Sequence, residues 1–117
     1  MITIYGIKAC DTMKKARNWL ESNDLPYQFH DYKVSGIDAR QLNAWCDRLG
    51  WEKVLNRAGT TFRKLEPYER EGLDRDKAVV LMQRLPSMIR RPVLSKGKIL
   101  LVGFRSEEYA TALLGGN

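Results

Sequence analysis

The first thirty residues constrain the fold most, because their side-chain pattern changes from strand to helix and back to strand. Ile2–Tyr5 alternates β-branched and aromatic residues, which predicts a short strand. Apolar residues then recur at helical spacing from Asp11 to Asn23, and Tyr27–Lys33 predicts a second strand. Strand, helix and strand in this order are typical of a parallel βαβ unit, so the sequence predicts an α/β fold.

The rest of the chain predicts a helical middle followed by a hairpin and a last helix. Asp38 is placed to cap a helix that Gly50 closes, Gly59–Tyr68 is expected to be irregular, and Leu73–Leu85 predicts another helix. The hairpin strands are expected at Val93–Ser95 and 99–102. A final helix from about residue 106 should turn four side chains inward, namely Tyr109, Ala110, Leu113 and Leu114. Without the middle, βαβ is followed by ββα.

The length of 117 residues predicts a single domain, 1–117, with a helical insertion at about 36–86. The apolar runs are too short to span a bilayer, and the chain does not start with a signal-peptide pattern. We therefore expect a cytoplasmic protein without a membrane partner. Thiols stay reduced in that compartment, so Cys10 and Cys46 are not expected to form a structural disulfide.

Net charge favours anionic partners, because the formal charge is +6 and the isoelectric point is about 9.5. Phosphates, oxyanions, carboxylates and nucleic acid all fit that charge. The basic residues are scattered and no nucleic-acid recognition motif is present, so we expect no nucleic-acid partner. One histidine, His30, and no cysteine pair at ligand spacing predict no metal site.

Cys10 is the first candidate functional residue. It follows the first predicted strand and lies at or beside the start of the first predicted helix, which Asp11 or Thr12 could cap. Free amides and the helix dipole stabilise a thiolate there, and Lys8 and Lys14 would add positive potential. Two interpretations remain open at this point: a nucleophile, or a buried inert thiol.

Cys46 contrasts with Cys10, because it falls on the apolar face of a helix interior and is expected to be a small core residue. Among the arginines, Arg63, Arg91 and Arg105 are each compatible with an ordinary surface charge. Together they could hold an oxyanion or a carboxylate, because the planar guanidinium binds both with two hydrogen bonds. Pro92 opens a predicted strand, a place where a cis peptide bond can occur.

Three motifs resemble one known family. They are "IYGIKACDTMKKARNWLE" at the start, "FRKLEPYEREGL" in the middle and "RRPVL…KILLVGFR" near the end. The whole chain resembles the ArsC/Spx family, which includes glutaredoxin-linked arsenate reductases and Spx transcriptional regulators, and it is most similar to the YffB-like subgroup. The resemblance implies a thioredoxin-like fold with a mixed four-stranded sheet and a helical insertion.

The resemblance also implies roles for particular residues. In arsenate reductases of this family a first-loop cysteine attacks the oxyanion and three arginines hold it, and these positions correspond here to Cys10, Arg63, Arg91 and Arg105. Pro92 corresponds to the family's cis-proline, whose neighbouring backbone is expected to pair with a thiol substrate. Those reductases carry a histidine shortly before the cysteine, in a "HNPAC"-like loop, whereas this chain has "GIKAC", with Lys8 and no histidine, which counts against arsenate as the substrate.

Two functions follow from the resemblance. The first is a thiol reductase without a bound cofactor, in which Cys10 attacks a disulfide or an oxyanion and glutathione, as co-substrate, resolves the adduct; glutaredoxin is a further candidate partner. The second is a non-catalytic Spx-like module that binds the RNA polymerase α subunit. A redox switch of the Cys-x-x-Cys type is excluded, because Met13 occupies the position of the second cysteine. We expect a monomer.

Overall fold

The structure is a computed structural model that describes residues Met1–Gly115 of the 117. The last two residues of the predicted domain lie outside the described range. The chain divides into two compact units. One is formed by Met1–Asp31 together with the chain from Arg91 onward, and the other is the continuous segment Tyr32–Arg90.

The first unit contains the sheet. Its elements in chain order are β1 (Ile2–Gly6), α1 (Asp11–Ser22), β2 (Tyr27–Asp31) and, after the second unit, β3 (Val93–Lys96), β4 (Ile99–Val102) and the last helix (Ser106–Tyr109), which is continued by a wider helical turn over Ala110–Leu114. The strand order is β2-β1-β3-β4. β1 pairs with β2 in parallel and with β3 antiparallel, and β3 pairs antiparallel with β4. The predicted α/β fold with a mixed four-stranded sheet is therefore confirmed.

Alternation along β1 explains why one face of the sheet is covered. Ile2 and Ile4 are buried, whereas Thr3 and Tyr5, which alternate with them, are only half-buried. They join the apolar stripe of α1 (Met13, Ala16 and Leu20) and three residues further along the chain (Leu94, Tyr109 and Leu113) in one core cluster. The sequence predicts that Leu114 points inward, but 51% of it is exposed. Leu113 is the leucine of this last turn that faces the core.

The second unit is helical. Its elements are α2 (Tyr32–Ser35), α3 (Ala39–Leu49), α4 (Trp51–Val54), α5 (Thr60–Arg63), α6 (Pro67–Arg70) and α7 (Arg75–Arg84), followed by a 3₁₀ turn at Pro86–Met88. Asp38 caps α3 by accepting a hydrogen bond from the Gln41 amide at 2.8 Å, as predicted. Gly50 ends that helix with a positive φ of 88°, a conformation that suits glycine.

Two expectations for this segment are wrong. The second strand ends at Asp31, not Lys33, because Tyr32 begins a helical turn in which its ring is buried. The segment 59–68 is not irregular throughout, since it contains α5 and the start of α6. In α6 a proline at the first turn and a reciprocal capping pair between Glu66 and Glu69 stabilise a helix too short to show a periodic pattern.

Candidate functional site

Cys10 immediately precedes α1 as its N-cap residue. Its backbone is extended, with φ −142° and ψ 127°, and its carbonyl accepts the first helical hydrogen bond from the Lys14 amide at 3.0 Å. The sequence predicts Asp11 or Thr12 as the cap, but both already lie in the first turn of α1. The thiol is half-buried and packs against the core cluster of the first unit. It is therefore held in place on one side and accessible on the other.

The electrostatics of this position favour the thiolate. Burial raises the pKa of the Cys10 thiol. That effect is outweighed by the amide of Met13, a hydrogen bond from Arg91, the amide of Thr12 and the Arg91 charge, which together bring the pKa below its ordinary value. The sulfur makes no capping hydrogen bond of conventional geometry. The two amides thus stabilise the sulfur's negative charge as unpaired N–H groups of the first helical turn, without forming a regular N-cap hydrogen bond.

The sheet brings Arg91 to Cys10. β1 and β3 are antiparallel neighbours with Tyr5 opposite Val93, so the residues just before β3 lie beside the chain that leaves β1. Arg91 is half-buried there and hydrogen-bonds to Cys10. The Arg91–Pro92 peptide bond is cis, and the carbonyl of Pro92 accepts a hydrogen bond from the Gly103 amide at 2.8 Å.

The other predicted site residues are placed differently. Lys8 is exposed, and the cation that lowers the Cys10 pKa is Arg91. Arg105 is exposed and begins the last helix. Arg63 belongs to the second unit, where its Nε and Nη2 groups donate to the carbonyl of Ala58 at 3.1 and 2.7 Å. The convergence of three arginines on Cys10 stays a prediction.

Cys46 is buried on α3, as the sequence predicts. Burial raises the pKa of its thiol, and the nearby charge of Arg75 lowers that pKa less than burial raises it. Arg75 is itself held by an ion pair with Asp47 at 2.6 Å. Cys46 is therefore a protonated core residue at neutral pH, because the effect of burial on its pKa outweighs that of Arg75.

Two further properties concern the part of the chain that the structure describes. Within residues 1–115, no group of three or more histidine, cysteine, aspartate or glutamate side chains is arranged to hold a metal ion. In the same range, no helix combines the length and the apolar character that crossing a membrane requires.

A mixed sheet of βαβ and ββα halves, with a cysteine at the start of the first helix, defines a thioredoxin-like α/β protein with a candidate thiolate. The model of the ArsC family matches residues 5–112. The chain belongs to the ArsC family.

Two solved structures and one relative describe its neighbourhood. A YffB protein shares 57% identity and superposes with a TM-score of 0.94, covering 97% of this chain and 99% of that one. An arsenate reductase (ArsC) related protein from Brucella melitensis shares 51% identity with a TM-score of 0.76, covering 97% and 93%. The global transcriptional regulator Spx of Listeria innocua is 27% identical over 110 residues, which is 92% of this chain and 83% of the regulator.

Proposed function

We propose that this protein is a glutathione-dependent thiol reductase in which Cys10 is the nucleophile. The observation that carries the proposal is the contact between Cys10 and Arg91 at the start of α1, where the thiol pKa lies below its ordinary value. A thiolate that is half-exposed and electrostatically stabilised is suited to attack on sulfur. The family supports the same class of chemistry, since similar proteins include an arsenate reductase related protein.

The reaction needs two thiol–disulfide exchanges. In the first, the Cys10 thiolate attacks one sulfur of a disulfide, an S–S bond forms, the original S–S bond breaks and the other half leaves as a thiolate that takes a proton. In the second, the thiolate of glutathione attacks the mixed disulfide and releases Cys10. For a substrate already joined to glutathione, the net reaction converts that mixed disulfide and one reduced glutathione into one substrate thiol and one oxidised glutathione, whose second glutathionyl group comes from the substrate.

The second thiol comes from glutathione because no protein thiol is suited to the task. Position 13, where a Cys-x-x-Cys motif has its second cysteine, is Met13, which is fully buried. Cys46 is buried with a raised pKa. Glutathione is anionic and the protein is cationic, which favours their encounter. Glutathione is also preferred over arsenate in this proposal, because Lys8 stands in the loop where the arsenate reductases have a histidine.

The test is intact-mass analysis after incubation with oxidised glutathione. We expect one glutathione adduct on the wild-type protein, which reduced glutathione then removes. The Cys10→Ser protein should form no adduct, and the Cys46→Ala protein should form one as fast as the wild type. An adduct on Cys46, or none at all, would refute the assignment.

A second candidate is a non-catalytic module that binds the RNA polymerase α subunit. It is favoured by the similarity to the regulator Spx along 92% of this chain. Binding of the purified α subunit to the immobilised protein distinguishes the two functions. Affinity that is equal in the wild-type and Cys10→Ser proteins, together with an inert Cys10, would favour the module.

A further inference from the structure

A polar stripe runs along α1 from the candidate nucleophile. Lys14, Arg17 and Glu21 lie four, seven and eleven residues after Cys10, and at 3.6 residues per turn these spacings fall on one side of a helix. The structure has a surface cleft of about 220 Å³ on this stripe, lined by Lys14, Arg17, Asn18 and Glu21. The cleft therefore begins within about one helical turn of Cys10.

Arg17 is fixed in this cleft by aromatic side chains of β2. Its Nε donates to the hydroxyl of Tyr27 at 3.1 Å, and its guanidinium carbon lies 4.7 Å from the centre of the Phe29 ring. The Tyr27 hydroxyl donates in turn to Glu21 at 2.6 Å. Within residues 1–115, no acceptor is bonded to the Nη groups of Arg17 or to the Lys14 ammonium. The cleft thus offers one pre-positioned and one mobile cation.

We infer that this cleft is the subsite for a carboxylate of the disulfide substrate of Cys10. The inference rests on the proposed function and names its substrate class: anionic disulfides whose carboxylate belongs to a residue next to the reacting cysteine. Lys14 and Arg17 lie about 6 and 10 Å along the helix from Cys10. One extended residue spans about 3.5 Å, so the flexible Lys14 side chain can meet the carboxylate of a residue that flanks the substrate cysteine.

The charge order of the cleft also fits a glutathionyl group. Such a group carries two carboxylates and one ammonium. Lys14 and Arg17 lie nearer to Cys10 and select a carboxylate, whereas the Glu21 carboxylate lies at the far end, where it favours the ammonium. Neutral disulfides gain nothing from this arrangement, so the cleft should act as a selectivity element and leave the thiol chemistry itself to Cys10.

The test compares two disulfides on the same protein: oxidised glutathione and the neutral bis(2-hydroxyethyl) disulfide. The rate of mixed-disulfide formation on Cys10 is measured by mass spectrometry, and the ratio of the two rates is the readout. This ratio cancels any change in the reactivity of the Cys10 thiolate, which both reagents report equally. We expect Lys14→Gln to lower the ratio about threefold, the size of effect that one exposed charge pair has.

Lys15→Gln is the matched control, because Lys15 is also exposed but lies on a different side of α1. It removes the same charge, and the ratio should stay at the wild-type value. An unchanged ratio in Lys14→Gln, or equal falls in both variants, would overturn the subsite while leaving the thiol reductase intact. Failure of the wild-type protein to react with either disulfide would overturn the proposed function, and the subsite with it.

Discussion

Two cysteines of one chain differ here because their surroundings differ. The Cys10 thiol lies beside the amides at the start of α1 and beside Arg91, whereas Cys46 is buried on the apolar face of α3. Sequence patterns separated the two, since helix starts and apolar stripes are local features. The partner of Cys10 was less accessible to local reasoning, because Arg91 approaches through the pairing of β1 with β3.

The pKa of Cys10 provides the prediction at this scale. Because its pKa is lowered, the thiolate fraction at neutral pH should exceed that of an ordinary cysteine, and alkylation by iodoacetamide should have a midpoint below about 8.5. Replacing Arg91 by methionine should raise the midpoint, since both its hydrogen bond and its charge are lost. Rates against pH, with Cys46 replaced by alanine, measure this directly.

Arg90→Met is the control for that experiment. Arg90 is the neighbour of Arg91 and is exposed, but its Nε donates to the Lys53 carbonyl at 2.9 Å in the second unit. Its removal should leave the midpoint where it is. Equal midpoints for the wild-type and Arg91→Met proteins would remove Arg91 from the account of the thiol.

At the scale of elements, α1 begins after a residue that leaves it without a side-chain cap. Serine, threonine, aspartate and asparagine are the preferred first residues of helices, because their side chains accept a hydrogen bond from the next turn. Cys10 holds the extended conformation of such a residue without making that bond. Functional positions that depart from local preference are expected in proteins with a reactive site.

We therefore expect Cys10→Ser to abolish adduct formation and to raise the free energy of unfolding by up to about 1 kcal/mol. The gain should shrink as the pH rises towards 9. A lowered folded-state pKa gives the wild-type protein stability that is present above the unfolded pKa and is lost as the pH falls through the folded pKa. Urea unfolding at pH 6 and pH 9 checks both parts. A variant less stable than the wild type at pH 6 would contradict the argument.

The contact between β1 and α1 gives a second prediction at this scale. A β-carbon on Gly6 would overlap the Sδ and Cε atoms of Met13, which is fully buried and has little room to move. Gly6→Ala should cost about 1–3 kcal/mol of stability, and Met13→Ala alone about 2–5 kcal/mol. Since the added methyl group enters the space that Met13 vacates, the double variant should lose less stability than the two single variants lose in sum. Strict additivity in urea unfolding would show that the two residues do not share that space.

For the whole molecule, charge is the property that acts at a distance. The formal charge of +6 attracts anionic disulfides before any contact forms. The rate of Cys10 modification by oxidised glutathione should fall severalfold as the ionic strength rises from roughly 0.01 to 1 M, over which the Debye length falls from about 30 to 3 Å. Modification by the neutral disulfide should barely change and serves as the control. Equal salt dependence of both reagents would argue against electrostatic attraction.

The two halves of the fold differed in how far sequence could predict them. The βαβ and ββα patterns were read correctly because each strand and long helix has a clear period and a turn residue behind it. The short helices α2, α5 and α6 have four residues each, which is about one turn and too few to show a helical period. The placement of Arg63 depends on α5, so it could not follow from the sequence pattern alone.

The position of β3 in the chain sets the order in which the protein can be built. Ile4 pairs with Leu94, so the sheet joins residues whose numbers differ by 90. At the speed of ribosomes, about 5–20 residues per second, β1 waits roughly 5 to 20 s for this neighbour. Of the three strand pairs in the sheet, only the parallel pair of β1 and β2 can form before then. Cys10 accordingly acquires the hydrogen bond and the charge of Arg91 only once the ribosome has made most of the chain.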